Sequence, residues 1–273
     1  MEQVKSYVDT ACQNSILVKN SVLWNDEVMK PFLFLQIRPL DAVSDNEFDT
    51  SVQMSGLDPK YFVRLRMEQG QLPKINLDEY SGVIVGGGPS NACDPEEKQS
   101  EAQQKFTPWL MALLDEIVER DFPYLGICYG LGILTKHQGG QVGKERYAES
   151  VEALDITLND LGQKDPLFEG LPSPFRAMAG HKESVQEVPG SMTVLAHSAV
   201  CPVHIVRVKN NIYATQFHPE LEAVGLEIRV KAYLHEGYFP PEEGEALVKK
   251  AYTENITVPP MILERFVTRF TSE

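Results

Sequence analysis

Cysteine, basic charge and long apolar runs are all scarce in this chain, and each shortage closes off a class of protein. There are four cysteines, Cys12, Cys93, Cys128 and Cys201, none spaced as Cys-x-x-Cys. That scatter suits neither a disulfide scaffold nor a zinc knuckle, and it leads us to expect reduced thiols in a cytoplasmic protein. The histidines show no His-x-x-x-His or His-Glu-x-x-His spacing, so no metal site is expected. Lys and Arg number 25 against 39 Asp and Glu, a formal net charge of −14 with no basic stripe, which disfavours nucleic acid as a partner. No stretch approaches the about 18 uncharged apolar residues of a membrane span, and the first twenty residues lack the charged start and apolar run of a signal peptide. What remains is ordinary globular composition, 42% hydrophobic and 23% charged, in a length of 273 residues that one sheet-based core can absorb.

After a polar lead-in of 1–31, the run 32–37 (FLFLQI) between two prolines reads as a buried strand. Segment 61–67 alternates like a strand, and 82–85 (GVIV) is a β-branched run ending in Gly86, Gly87, Gly88 and Pro89. Thr107 and Pro108 suit an N-cap and first helical position, followed by apolar residues at helical spacing to Val118. A strand at 122–127 and a helix at 130–137 come next. Strands alternating with helices predict a mostly parallel α/β sheet. Beyond Gly140 the strand-like runs 151–158, 192–197, 203–208 and 212–217 lack long intervening helices, which predicts an antiparallel extension. Helical patterns around 226–234 and 262–270 close the chain.

Gly126, Ile127, Cys128, Tyr129 and Gly130 set a cysteine between two glycines where a predicted strand meets a predicted helix. This is the layout of a nucleophile elbow, in which the turn strains the central residue and its neighbours must lack a β-carbon. A helix N-terminus behind the sulfur would favour the thiolate. An isolated cysteine is more often a small buried hydrophobe. Ninety residues on, however, stand His218, Pro219 and Glu220. Pro219 biases His218 towards extended backbone, so the side chains of His218 and Glu220 point the same way. Thiol, base and orienting carboxylate are then all available. The Gly86–Pro89 turn has no lysine and Ser/Thr of a phosphate loop. It can instead bring a backbone N–H to an oxyanion, with the N–H of Tyr129 as second donor.

GGGP, GICYG and QFHPE, in that order, resemble the marks of class I glutamine amidotransferases, especially stand-alone proteins similar to the glutaminase domain of guanosine monophosphate synthetase. The resemblance covers roughly 32–238 and implies a single-domain, flavodoxin-like α/β fold with an elbow, residues 239–273 forming a helical tail packed on it. It implies Cys128 as nucleophile, His218 as acid and base, Glu220 as its orienting partner, and Gly88 and Tyr129 as oxyanion donors, with Gly87, Gly132, His181, Lys182 and Glu183 near the substrate. It implies no metal or organic cofactor. The chain departs from the family at Gly132, four positions after the nucleophile, where a substrate-holding glutamine is usual, so Gly132→Gln is expected to improve glutamine binding. The Ser-Gly-Gly-x-Asp-Ser loop of the synthetase is not found in these residues, so ammonia is expected to pass to another polypeptide. A γ-glutamyl peptidase using the same triad, or a binding protein that kept the fold without turnover, are the alternatives.

Overall fold

The computed structural model describes residues 29–70, 72–235 and 237–271. The expected lead-in falls outside these residues apart from 29–31.

The run after Pro31 is a fully buried strand, β1 (Phe32–Gln36), whose alternate residues supply two cores: Phe32 and Phe34 pack on one face, Leu33 and Leu35 on the other. β1 pairs in parallel with β2 (Phe62–Arg66) and β3 (Gly82–Val85), and β3 with β4 (Tyr124–Ile127), which in turn pairs with β11 (Ile212–Thr215). The order β2-β1-β3-β4-β11 is the doubly wound flavodoxin-like order. The sheet then continues antiparallel through β10 (Ile205–Val208), β9 (Met192–His197), β6 (Glu149–Leu158) and β7 (Phe175–His181), nine strands in all. The expected antiparallel extension is therefore present, and includes β7, which no sequence pattern marked. Short β5 (Gln141–Gly143) and β8 (Ser184–Glu187) pair apart from it.

Helices α2 (Glu101–Arg120) and α3 (Tyr129–His137) pack on the face carrying Leu33 and Val83. α2 begins earlier than expected: Ser100 caps it by accepting from Gln103 N, and Pro108 lies inside the helix. The opposite face takes α1 (Asp41–Ser55) and α6 (Val258–Thr271), with Phe266 against Phe32 at 6.0 Å between ring centroids. α4 (Ala223–Ala232) and α5 (Gly244–Ala251) form a smaller apolar cluster with Met178 of β7. No helix among the described residues is long and apolar enough to cross a membrane.

Candidate active site

The carboxyl ends of β1, β3, β4 and β11 converge, which is where open α/β sheets bind ligands. Cys128 follows β4 and sits at φ 52°, ψ −92°, in the positive-φ region that a non-glycine residue enters only when its surroundings force it. The surroundings are visible. A β-carbon on Gly126 would lie 2.6 Å from the carbonyl carbon of Gly130, so the strand can turn this sharply into α3 only without a side chain there. Cys128 N donates to Thr215 O at 2.7 Å, tying the elbow to β11.

His218 lies just beyond β11 and is 6% exposed; its Nδ1 is 2.8 Å from Glu220 Oε1. Since the carboxylate only accepts, Nδ1 carries the proton, and the Nε2 lone pair is left for the cysteine side. The Gly86–Pro89 turn meets both groups: a β-carbon on Gly87 would be 2.5 Å from His218 Cε1, 3.3 Å from Nε2 and 3.2 Å from Cys128 Cβ. Gln216 Nε2 donates to Cys128 Sγ at 3.8 Å.

Charge around the thiol works against ionisation. Burial pushes the Cys128 thiol up to about 12, with the Glu183 carboxylate adding to it, and burial holds His218 below its ordinary value despite Glu220. Burial thus favours the neutral form of both groups, opposing the pull of the α3 N-terminus towards a thiolate that the sequence led us to expect. Glu220 goes the other way: burial opposes its charge, but His218 and then Arg229 hold it far below the carboxylate range.

Arg229 of α4 begins a network that the sequence did not reveal. Its Nη2 donates to Glu220 Oε1 at 2.8 Å and lies 3.9 Å from Glu47 Oε1. Glu47, fully buried on α1, accepts from Arg38 Nε at 2.6 Å and from Gln36 Nε2 at 2.9 Å. Charges therefore alternate from Arg38 through Glu47 and Arg229 to Glu220, whose carboxylate holds the His218 ring. The hint in the sequence was Arg38 standing directly after an apolar strand and before a proline.

Cys128, His218, Gly88, Lys182 and Glu183 line one pocket. His181 is anchored at both ring nitrogens, Nδ1 to Glu183 O and Nε2 to Glu149 Oε2, each 2.8 Å away. Lys182 Nζ sits 4.0 Å from the centroid of the Tyr238 ring. Gly132, buried in α3, is not among the lining residues; a β-carbon there would be 2.7 Å from Glu183 Oε1 and 3.1 Å from Ala92 Cβ. The space opened by the missing side chain is filled by Glu183, so Gly132→Gln can reach the pocket only by displacing that carboxylate. Tyr129 places its backbone N–H in the first turn of α3, where it has no intrahelical acceptor.

Glu149, His181, Cys201 and His204 bring one ligand-type atom each within 4.8 Å of one another, a grouping that no sequence spacing betrayed. Protein donors already satisfy the carboxylate: His181 and His204 reach Glu149 Oε2 at 2.8 Å, and Ser198 Oγ donates to Oε1 at 2.5 Å. Cys201 Sγ donates to Val203 O at 3.4 Å, and burial pushes its thiol up to about 12. The cluster is a hydrogen-bonded hub that fixes the start of the His181–Glu183 loop. Cys93, half-buried beside Glu183, has its thiol pushed up to about 12 by burial and by that carboxylate.

The family model for class-I glutamine amidotransferases matches residues 43–225. The chain belongs to that family. It is 35% identical over 144 residues to the glutamine-hydrolysing GMP synthase subunit of Methanococcus maripaludis, covering 52% of this chain and 66% of that one. It is 37% identical over 151 residues to the corresponding subunit of Thermococcus kodakarensis, covering 55% and 71%. Against the GMP synthase of Thermosipho melanesiensis it is 34% identical over 163 residues but spans only 28% of that protein's length. Among solved structures, a glutamine amidotransferase from Thermotoga maritima superposes with a TM-score of 0.71 at 21% identity, covering 89% of this chain and 99% of that one, a likeness of fold.

Proposed function

We propose that this class I amidotransferase hydrolyses the side-chain amide of glutamine to glutamate and ammonia through a thioester on Cys128. The observation carrying the proposal is the cysteine held at positive φ against the same glycine turn as a buried imidazole whose Nδ1 is fixed by a carboxylate. His218 Nε2 takes the thiol proton as sulfur attacks the amide carbon, so the neutral pair ionises only when substrate is present. The N–H groups of Gly88 and Tyr129 receive the oxyanion; losing one such donor costs on the order of 10² to 10³ in rate in other hydrolases. The imidazolium then protonates the leaving nitrogen, the C–N bond breaks and ammonia departs. Neutral His218 next activates water to attack the thioester carbon, the C–S bond breaks, glutamate leaves and the thiol is regenerated. Each step uses only these side chains and water.

Relatives named as one subunit of GMP synthase support a separate synthetase as ammonia acceptor. A second reading, a γ-glutamyl peptidase, draws support from the apolar part of the pocket wall, Val151, Leu226, Val230 and Phe239, which suits a leaving group larger than ammonia. Purified protein mixed with glutamine, and separately with γ-glutamyl peptides, separates the two when ammonia, glutamate and the mass of the Cys128 peptide are followed. Ammonia with a glutamyl adduct from glutamine supports the amidotransferase; cleavage of the peptides alone selects the peptidase.

A further inference from the structure

Glu149 opens β6, His181 ends β7, and Cys201 and His204 stand between β9 and β10, so three separate stretches of chain meet at one corner. His181 is 4% exposed, Cys201 and His204 not at all, and the Glu149 side chain is closed off beside them. Hydrogen bonding accounts for the carboxylate and leaves the rest unexplained. His181 Nδ1 faces the Glu183 carbonyl, which only accepts, so in a neutral ring the proton is on Nδ1. Its Nε2 lone pair then meets a lone pair of Glu149 Oε2 at 2.8 Å, and a positive centre has to lie between them. His204 Nε2 approaches the same oxygen at 2.8 Å, duplicating that contact, while its buried Nδ1 has no hydrogen-bond partner among the described residues. Burying a nitrogen unpaired is costly, so this ring is kept in place for what its Nε2 does. Cys201 Sγ completes a set of four ligand-type atoms within 4.8 Å of one another.

We infer that Glu149, His181, Cys201 and His204 form a binding site for one divalent transition-metal ion, with zinc the best match to the donors. A thiolate, two imidazoles and a carboxylate suit zinc, and four protein donors with no open position make a structural site rather than a catalytic one. Tetrahedral bonds of about 2.0 to 2.3 Å set neighbouring donors roughly 3.3 to 3.6 Å apart, so each ring has to draw back from Glu149 Oε2 by only about half an ångström. The supports that such ligands need surround them. Glu183 O fixes the His181 ring through Nδ1, and Ser198 Oγ donates to the other oxygen of Glu149 while accepting from Cys201 N at 2.8 Å. On binding, the Cys201 thiol proton and the proton between His181 and Glu149 pass to solvent, His204 keeps its proton on Nδ1, and the two charges of the ion replace the two that leave. Acid reverses the exchange and returns the hydrogen-bonded hub described above. The ion would pin the corner from which the His181–Glu183 loop enters the pocket and takes no part at Cys128, so the inference is independent of the glutaminase reading.

The test strips the reduced protein of metal with a chelator, removes the chelator by gel filtration, and titrates with Zn²⁺ and separately with Co²⁺. Cys128 and His218 are a competing thiol and imidazole, so Cys128→Ala protein is titrated beside wild type. Both are expected to take up one Zn²⁺ per chain at this site, with a thermal midpoint that rises on binding and falls back when chelator is added. Co²⁺ should give the thiolate-to-cobalt absorption of a tetrahedral site in both. Cys201→Ser should abolish that absorption and weaken Zn²⁺ binding by at least about 10²-fold while the circular dichroism spectrum stays unchanged. An anomalous-difference map from zinc-soaked wild-type crystals needs no substitution, and should place the ion within bonding distance of His181 Nε2, His204 Nε2 and Cys201 Sγ. Wild-type protein that takes up no Zn²⁺ overturns the inference. So does uptake that Cys128→Ala abolishes or that Cys201→Ser leaves unchanged, because the ion then sits elsewhere.

Discussion

At the scale of single residues, the strain at Cys128 and the approach of His218 to Gly87 make sharp demands. Cys128→Ser keeps the size but loses a soft nucleophile, so hydrolysis and the covalent adduct should vanish while the thermal midpoint stays near wild type; an active serine variant would remove Cys128 from the proposed role. Gly87→Ala has no room for its methyl group beside an imidazole carbon at 2.5 Å. The ring must shift, and a displacement of about 1 Å can cost on the order of 10²-fold in rate. We expect that loss in kcat with a circular dichroism spectrum unchanged. The neutral thiol and imidazole also set the pH profile. Burial holds His218 below its ordinary value of 6.5, so it stays an unprotonated base in mildly acidic solution. The acid limb of kcat/KM is therefore expected below pH 6.5; a limb at or above that value contradicts the electrostatic picture.

Elements tell a different story from residues. α1 escaped the sequence reading because its buried positions are largely polar, Ser44, Glu47, Thr50 and Ser51 among them, so no apolar stripe marks a face. Those residues are buried because α1 brings Glu47 to Arg38 and Arg229. Charged residues in isolation read as solvated surface, and only the fold shows that three of them meet behind Glu220. The elbow and QFHPE were legible because their chemistry is local: Gly-x-Cys-x-Gly is one turn, and His218 and Glu220 are two residues apart. α2 began nearly two turns before the expected cap at Thr107 because Ser100 also caps well and Phe106 and Gln103 bury themselves against the sheet side. β7 was missed because FRAMAGH is buried at most positions and does not alternate. Glu47→Gln should expose the hidden network, since it leaves two buried guanidinium groups short of a carboxylate. Breaking a buried pair in this way costs about 3 to 5 kcal/mol. Chemical denaturation measures the loss; a change under about 1 kcal/mol would mean that Glu47 carries little of the pairing.

The whole molecule sums these buried charges into a response to acid. Burial holds His218 and His204 below 6.5, so as pH falls through that value the unfolded chain takes up protons first and stability declines. Glu220 and Glu149 are penalised by burial but held well below 4.5 by their histidine and arginine partners, so their contribution is present above 4.5 and lost beneath it. Glu183, raised by burial, acts in the opposite sense above 4.5 and softens the first decline. Thermal midpoints taken from about pH 8 to about pH 4 should therefore fall in two stages, beginning near 6.5 and steepening below 4.5. A midpoint flat down to about pH 5 would show that the buried histidines are not held neutral.

The pairing of β4 with β11 carries a consequence for the birth of the protein. Cys128 leaves the ribosome long before the strand that supplies Thr215 O, His218 and Glu220 has been made, and about 90 residues of other structure are synthesised between them. Until β11 slots in beside β4, the nascent chain holds a thiol with no base and a sheet with an open edge. The last strand of the parallel half thus works as a maturation step: the same pairing that covers the edge of β4 brings His218 and Glu220 to Cys128, so on the proposed chemistry no turnover can precede it.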